Sequence, residues 1–481
     1  MSVSKVAVWA LVSVFAFGAC TPAEEPEDLV DEVAAIEAAE PEPTPEPEPP
    51  REPPQWEQSV SVADFSRCKL ADPRPASVRQ LVRGQRQGDI IGMEAVGFPH
   101  SERELPGSGE ANVIIAKVAF NDAPTSDELP ESFLTEQTDI VTEWSEFFSQ
   151  GKFRLTFQVV PGWVTVPVDH ADNTLDPGVG DNEYDQEEWH RQTQSRMEEV
   201  AKLVVEQLPD DLDYQAADAV FIYWTPEMFA FKQTVSDRDG VFSTPQGSMK
   251  LPFQAGGIAH TTDTGSLTFE IKKEYAWSYF IHDLSHWMGM NGHAPGNGWK
   301  TGVGQGAYPS GNGEYSGVLT AWEAFVFEWF DDDQVFCADL ETLTEPQRVM
   351  LTPLETYGGE RKMVAIRTVD HKVLVVESRR PIGWSKDWNP ANAGLLVYEI
   401  DANGVQTDHL PDDCGNDRKK PKWAYYIYPD SVSNRTCVHN DIENMLVREG
   451  MSVTHSGVKI TLDFLGDDVD YVLIEPADDE A

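Results

Sequence analysis

The stretch IHDLSHWMGMNGH, residues Ile281–His293, decides how the rest of the chain is read. His282 and His286 stand four apart, so on a helix both imidazoles project from one face and can hold one metal ion about 2.0–2.1 Å from each nitrogen. The preceding YAWSYFI supports a helix, and Gly289 allows the chain to turn sharply after it. That turn matters, because a third ligand has to come back toward the ion. His293 is the first candidate; three neutral histidines leave a fourth position open to water, the arrangement of a catalytic rather than a structural zinc. Glu323, in the helical-looking LTAWEAFVFEWF, is the competing third ligand, with His260 and Asp263 as weaker rivals. The plainer alternative is a pair of partly buried histidines bonded to backbone carbonyls. A third histidine seven residues after the second, with a glycine between, favours the metal. The familiar signature is His-Glu-x-x-His, and here Asp283 fills the glutamate's place.

Upstream of this motif, strands and helices alternate. NVIIAKVAF (Asn112–Phe120) and DAVFIYW (Asp218–Trp224) are apolar, β-branched runs that predict buried strands. GKFRLTFQVVPGWVTVPV (Gly151–Val168) alternates on both sides of Pro161-Gly162 and predicts a hairpin. Between Glu187 and Leu208, Met197, Val200, Ala201, Val204 and Leu208 recur at helical spacing until Pro209 stops them. Beyond residue 362 the pattern is short strands and turns, as in KVLVVES, GLLVYEI and VKITLDFL, and predicts a β-sandwich-like unit with its boundary near Gly358-Gly359. Trp384 and Trp388 belong either to that unit's core or to a binding face. The Gly-rich run Thr301–Gly317 reads equally as a cleft lining or a plain loop.

The N-terminus has a different composition. Lys5, an apolar run from Val6 to Phe17 and then Gly18-Ala19-Cys20 read as an export signal of residues 1–20. The tetrapeptide FGAC resembles a bacterial lipobox, which makes Cys20 a lipidation site and places the protein outside the cytoplasm, at the outer membrane or cell surface. Residues 21–55 carry 12 acidic residues, one arginine and many prolines, and predict an extended, self-repelling tether. With Cys20 lipidated, four cysteines remain, an even number that permits two disulfides. Cys414 with Cys437 is the easier pair, since both lie in one polar loop region. The other ties Cys68 to Cys337 and so holds residues 56–109, read as an N-terminal cap, against the body. The formal net charge of −46 excludes a nucleic-acid backbone or an anionic lipid surface as partner, leaving the lipid anchor as the membrane contact. DNEYDQEE (Asp181–Glu188) is a candidate calcium site without EF-hand spacing; a solvated helix start is the plainer reading.

HDLSHWMG, then GVLTAWEAFVFEWF, VLVVESRRPIGW and AGLLVYEIDANG, in that order, resemble the immune-inhibitor-A family of secreted bacterial zinc metallopeptidases, relatives of the metzincins. NVIIAKVAFNDAP, GKFRLTFQVVPGWVTVPVDHADN and VTHSGVKITLDFLGDDVDYVLI extend the likeness over about residues 110–475. The resemblance implies an α+β fold: a metzincin-like domain with a mixed sheet and an active-site helix over residues 110–358, then a β-sandwich-like domain over residues 359–481. It places zinc on His282 and His286, the general base on Asp283 and a helix-ending glycine on Gly289, with a protein or peptide as substrate. The chain departs from the family at Asp283, at Gly292 where an acidic residue is usual, and in lacking a methionine in NGWKTGVGQGAYPSGNGEYSG. The expected activity is therefore peptide-bond hydrolysis outside the cell, or, in a catalytically impaired descendant, the binding of peptides or a partner protein.

Overall fold

The structure, a computed structural model, describes residues 65–71, 97–99, 105–122, 132–169, 199–224, 239–257, 317–389, 391–403, 424–432 and 442–477. Of the segment around the histidine motif it describes positions 277, 280, 281, 284, 285 and 288. The fold is mixed α and β, with several sheets and few helices among these residues.

The first sheet is built around β1 (Gly109–Phe120), whose side chains are buried on both faces. Val113 and Ile115 enter one apolar cluster and Ile114, Ala116 and Val118 another, which is why the strand reads as a continuous apolar run. β2 (Phe153–Val166) and β3 (Ala219–Trp224) flank it in parallel, and β5 (Gly247–Gly257) pairs in parallel with β3. β4 (Asp239–Thr244) closes the order β2-β1-β3-β5-β4 as an antiparallel edge.

The expected hairpin at 151–168 is corrected: β2 is one strand, and both of its halves pair in parallel with β1. Pro161-Gly162 falls where the register jumps from Ile115↔Val159 to Lys117↔Trp163, with Gly162 at φ 70°. The turn signal thus makes a bulge, in which the extra residues bend the strand without reversing it.

One face of this sheet packs on the helix at residues 199–207, through Val200, Ala201, Val204 and Val205. The other face receives α1 (Phe133–Phe148), the helical positions of the histidine motif, and α2 (Ala321–Val326). That same cluster continues into a second sheet of order β11-β10-β9-β8-β6. Its strands are β6 (Val335–Asp339), β8 (Met363–Val369), β9 (Lys372–Arg379), β10 (Gly394–Asp401) and β11 (Ala424–Tyr426). Side chains alternate across β9, with Val373 and Val375 toward the helices and Leu374 and Val376 toward a third sheet. The third sheet has the order β12-β13-β14-β7, from β12 (Ser452–His455), β13 (Val458–Leu465), β14 (Asp470–Pro476) and β7 (Gln347–Leu351). Its buried Val458, Ile460 and Leu462 alternate with half-buried Lys459, Thr461 and Asp463, the pattern of an antiparallel sheet with one face toward solvent.

Residues Glu52–Ala481 form one compact unit. Strands β6 and β7 lie before the expected boundary at Gly358-Gly359 and pair with β8 and β14 beyond it. The N-terminal segment is laced into the same core. A disulfide joins Cys68 to Cys337 on β6, Phe98 N–H donates to the Leu70 carbonyl, and the Phe98 ring packs edge-on to Phe325 at 5.0 Å.

Candidate functional site

The described positions of the motif, 277, 280, 281, 284, 285 and 288, are all helical and all buried. Their spacing is that of one helix face, and Trp277, Phe280, Ile281, Leu284 and Met288 make it apolar enough to dock in the core between the first and second sheets. Phe280 meets Phe221 at 5.1 Å and Tyr223 at 6.0 Å, both on β3. Trp277 meets Trp384 at 5.7 Å, and its main-chain N–H donates to the Gln137 side-chain oxygen on α1 at 2.8 Å. Gly317 fits against the Trp277 ring so closely that a Cβ there would lie 2.8 Å from it. Gly317 also donates its N–H to the Trp384 carbonyl and accepts the Trp144 indole N–H through its own carbonyl. Trp384 therefore belongs to the core around the motif helix, while Trp388 is buried against the Arg379 guanidinium at 5.1 Å.

His282, Asp283, His286 and His293 lie outside the described residues, as do His260, Asp263, Gly289, Cys20, Cys414, Cys437 and Asp181–Glu188. Among the described residues no three His, Cys, Asp or Glu side chains stand close enough to hold a metal ion.

Glu323 is placed, at the N-terminal end of α2, where it closes a capping box. Its Oε2 accepts from the Thr320 N–H at 3.2 Å and the Thr320 hydroxyl at 2.9 Å, and its own N–H donates to that hydroxyl oxygen. This arrangement satisfies first-turn donors that a helix leaves open.

Two further donors of α2 are taken by residues that the pattern reading did not single out. Ala321 N–H donates to Glu377 Oε2 at 2.7 Å, and Trp322 N–H donates to the Tyr398 hydroxyl at 3.2 Å. Tyr398 in turn donates to Glu377 Oε2, and Arg379 bridges Glu377 Oε1 at 2.9 Å and Glu355 Oε1 at 3.0 Å. Arg379, Glu355 and Glu377 side chains are fully buried. Burial pushes the Glu377 carboxyl up, against the opposing pull of Arg379, the Ala321 N–H and the Tyr398 hydroxyl. The Arg379 guanidinium is raised by Glu355 and Glu377, although burial alone works the other way. The signal for this cluster was in β9: a charge at Glu377 and another at Arg379, inside a strand flanked by apolar residues on both faces, each require a partner.

A second polar cluster joins the second and third sheets. Glu399 on β10 accepts from Lys372 Nζ at 2.7 Å and Ser456 Oγ at 3.1 Å and pairs with His455 Nε2 at 3.1 Å. Against the effect of its burial, these bonds pull the Glu399 carboxyl down to about 2.

No protein-family model matches the chain, and no curated protein is significantly similar to it.

Proposed function

We propose that this chain is an exported zinc metallopeptidase, tethered to the cell surface through a lipid on Cys20 and the acidic segment 21–55, that hydrolyses peptide bonds of extracellular proteins. The observation that carries the reading is the buried helix face at positions 277–288. Two histidines four apart, as at His282 and His286, share one face of any helix, which is the spacing that a pair of ligands to one metal ion requires. The histidine donor set fits zinc, with His293 or Glu323 as third ligand. The mixed first sheet with the motif helix on its face supports the metzincin-like domain, and the core shared by the second and third sheets supports the β-sandwich-like unit. Among the described residues β4 pairs with β5 alone, which leaves an edge to which an extended peptide can add as a strand.

Zinc, when bound, supplies a polarised carbonyl and a water whose pKa falls to about 7. In this reading Asp283 takes the proton from the attacking water and hands it to the leaving amine. Its carboxylate is one methylene, about 1.5 Å, shorter than the usual glutamate's, and a misplacement of that size costs on the order of a hundredfold in rate. That substitution is the observation favouring the second reading, an impaired descendant that binds peptides or a partner protein in the old cleft.

The purified protein is expected to contain about one zinc per chain, lost in His286→Ala. A metal-free wild type removes the enzyme reading. With metal present, casein hydrolysis by wild type that is abolished in Asp283→Ala establishes the peptidase. An inactive wild type that gains activity as Asp283→Glu establishes the descendant.

A further inference from the structure

A cleft of about 330 Å³ opens where three segments meet: the N-terminal segment at Lys69, the turn from α1 into β2 at Lys152, and the loop from α2 into β6 at residues 328–332. That volume falls within the range of small-ligand sites, about 300–1,000 Å³. Its walls are fastened to one another. The disulfide between Cys68 and Cys337 ties the first segment to β6, and the Gln150 and Gln334 side-chain amides exchange hydrogen bonds at 2.8 and 3.0 Å, joining the turn to the loop. A cleft held in this way loses little freedom when a ligand enters. Charges of both signs line it. Lys69 Nζ pairs with Glu328 at 2.6 Å, and Lys152 Nζ reaches the Glu328 carbonyl at 3.2 Å and Asp331 at 2.8 Å. An ammonium has three donors, so Lys152 keeps one that is unclaimed among the described residues. The Asp332 carboxylate lines the same cleft and has no bonded partner among the described residues. Phe325 and Phe330 supply the apolar part of the lining. Glu328 at φ 57° and Gln150 at φ 55° hold left-handed conformations that a side chain disfavours, and strain of this kind gathers at functional sites.

We infer that this cleft binds a free α-amino acid with an uncharged side chain: Asp332 takes the ammonium, the remaining donor of Lys152 takes the carboxylate, and Phe325 and Phe330 take the aliphatic part. A zwitterion suits a lining that offers both signs. A simple anion would meet the carboxylates of Glu328, Asp331 and Asp332, and a simple cation the ammonium groups of Lys69 and Lys152. The site is independent of the metallopeptidase reading, since none of its lining residues belongs to the histidine motif.

The test is calorimetric titration of the full chain with L-leucine and with its two halves, isopentylamine, which lacks the carboxylate, and isocaproate, which lacks the ammonium. Leucine is expected to bind saturably and about tenfold or more tighter than either half, the contribution of one charge-assisted hydrogen bond. Asp332→Asn and Lys152→Gln are each expected to weaken leucine by about tenfold or more. Asp333→Asn, at an exposed neighbour outside the lining, is expected to leave the affinity unchanged. Asp332 is itself exposed, so its variant decides the matter if Lys152→Gln loses its melting transition. A wild type that does not bind leucine overturns the inference. So does a half that binds as tightly as leucine, which marks a plain cation or anion site, and so does leucine affinity that survives Asp332→Asn, which puts the ligand elsewhere on the protein.

Discussion

At the scale of single residues, the chain spends buried charges on holding loops and helix ends. Lys362 is 2 % exposed, and its Nζ donates to the Pro353 carbonyl, the Thr356 carbonyl and the Thr356 hydroxyl, at 2.7 to 2.9 Å. Burial lowers its pKa from 10.5 to about 8, with the charge of Glu355 pulling the other way. Because the folded value lies below the unfolded one, between about pH 8 and 10.5 the unfolded chain binds a proton that the folded chain does not. Stability from this group therefore rises with pH across that window, by up to about 3 kcal/mol. The expected outcome is that the difference in unfolding free energy between wild type and Lys362→Met grows in favour of wild type from pH 8 to 10. A difference that stays constant over that range would mean that Lys362 keeps its ordinary pKa in the fold. Nothing in KMVAIRTV marks this lysine: its burial comes from the loop Thr352–Arg361 closing over it, a contact that sequence pattern does not encode.

At the scale of elements, α2 is shorter than LTAWEAFVFEWF suggests, and its end shows why. Glu328 takes a left-handed φ of 57°, its N–H donates to the Phe325 carbonyl, and Trp329 N–H donates to the Ala324 carbonyl. This is a Schellman stop with glutamate where glycine is usual, and a side chain there costs about 1 kcal/mol. The compensating ion pair to Lys69, 2.6 Å long, is exposed on the Glu328 side and contributes little. Glu328→Gly is therefore expected to raise stability by roughly 0.5–1 kcal/mol, and Glu328→Ala, which loses the ion pair and keeps the strain, is not. Equal effects in chemical denaturation would assign the cost to something other than the backbone. The same competition between local signal and tertiary partner governs what was legible. β1 and β3 were readable because both their faces are buried, so their apolar runs are unambiguous. β2 was misread because a Pro-Gly pair looks alike in a turn and in a bulge, and only pairing with β1 separates them. The helix of the histidine motif was readable from spacing, whereas Gln137, 140 positions away, carries no local mark of its hydrogen bond to Trp277.

At the scale of the whole molecule, 82 acidic against 36 basic residues leave a net charge of −46. The tether takes a part of this, but most of it lies on the remainder of the chain, where like charges on a compact surface repel and favour expansion. The ion pairs that lock the interior, Arg379 with Glu355 and Glu377, are fully buried and are screened little by salt. Surface repulsion is screened strongly, since the Debye length falls from about 10 Å at 0.1 M to about 3 Å at 1 M. Added sodium chloride should therefore relieve the unfavourable term and spare the favourable one. The melting temperature is expected to rise, on the order of 5 °C between about 0.05 and 1 M, with potassium chloride equivalent to sodium chloride. Calcium and magnesium chlorides at equal ionic strength distinguish screening from specific binding. Equal shifts indicate screening, and a rise at millimolar calcium that magnesium does not match indicates a built site, for which Asp181–Glu188 is the candidate. A melting temperature that falls with sodium chloride would show that the exposed pairs, such as Lys152 with Asp331 and Arg154 with Glu146, outweigh the repulsion between their neighbours.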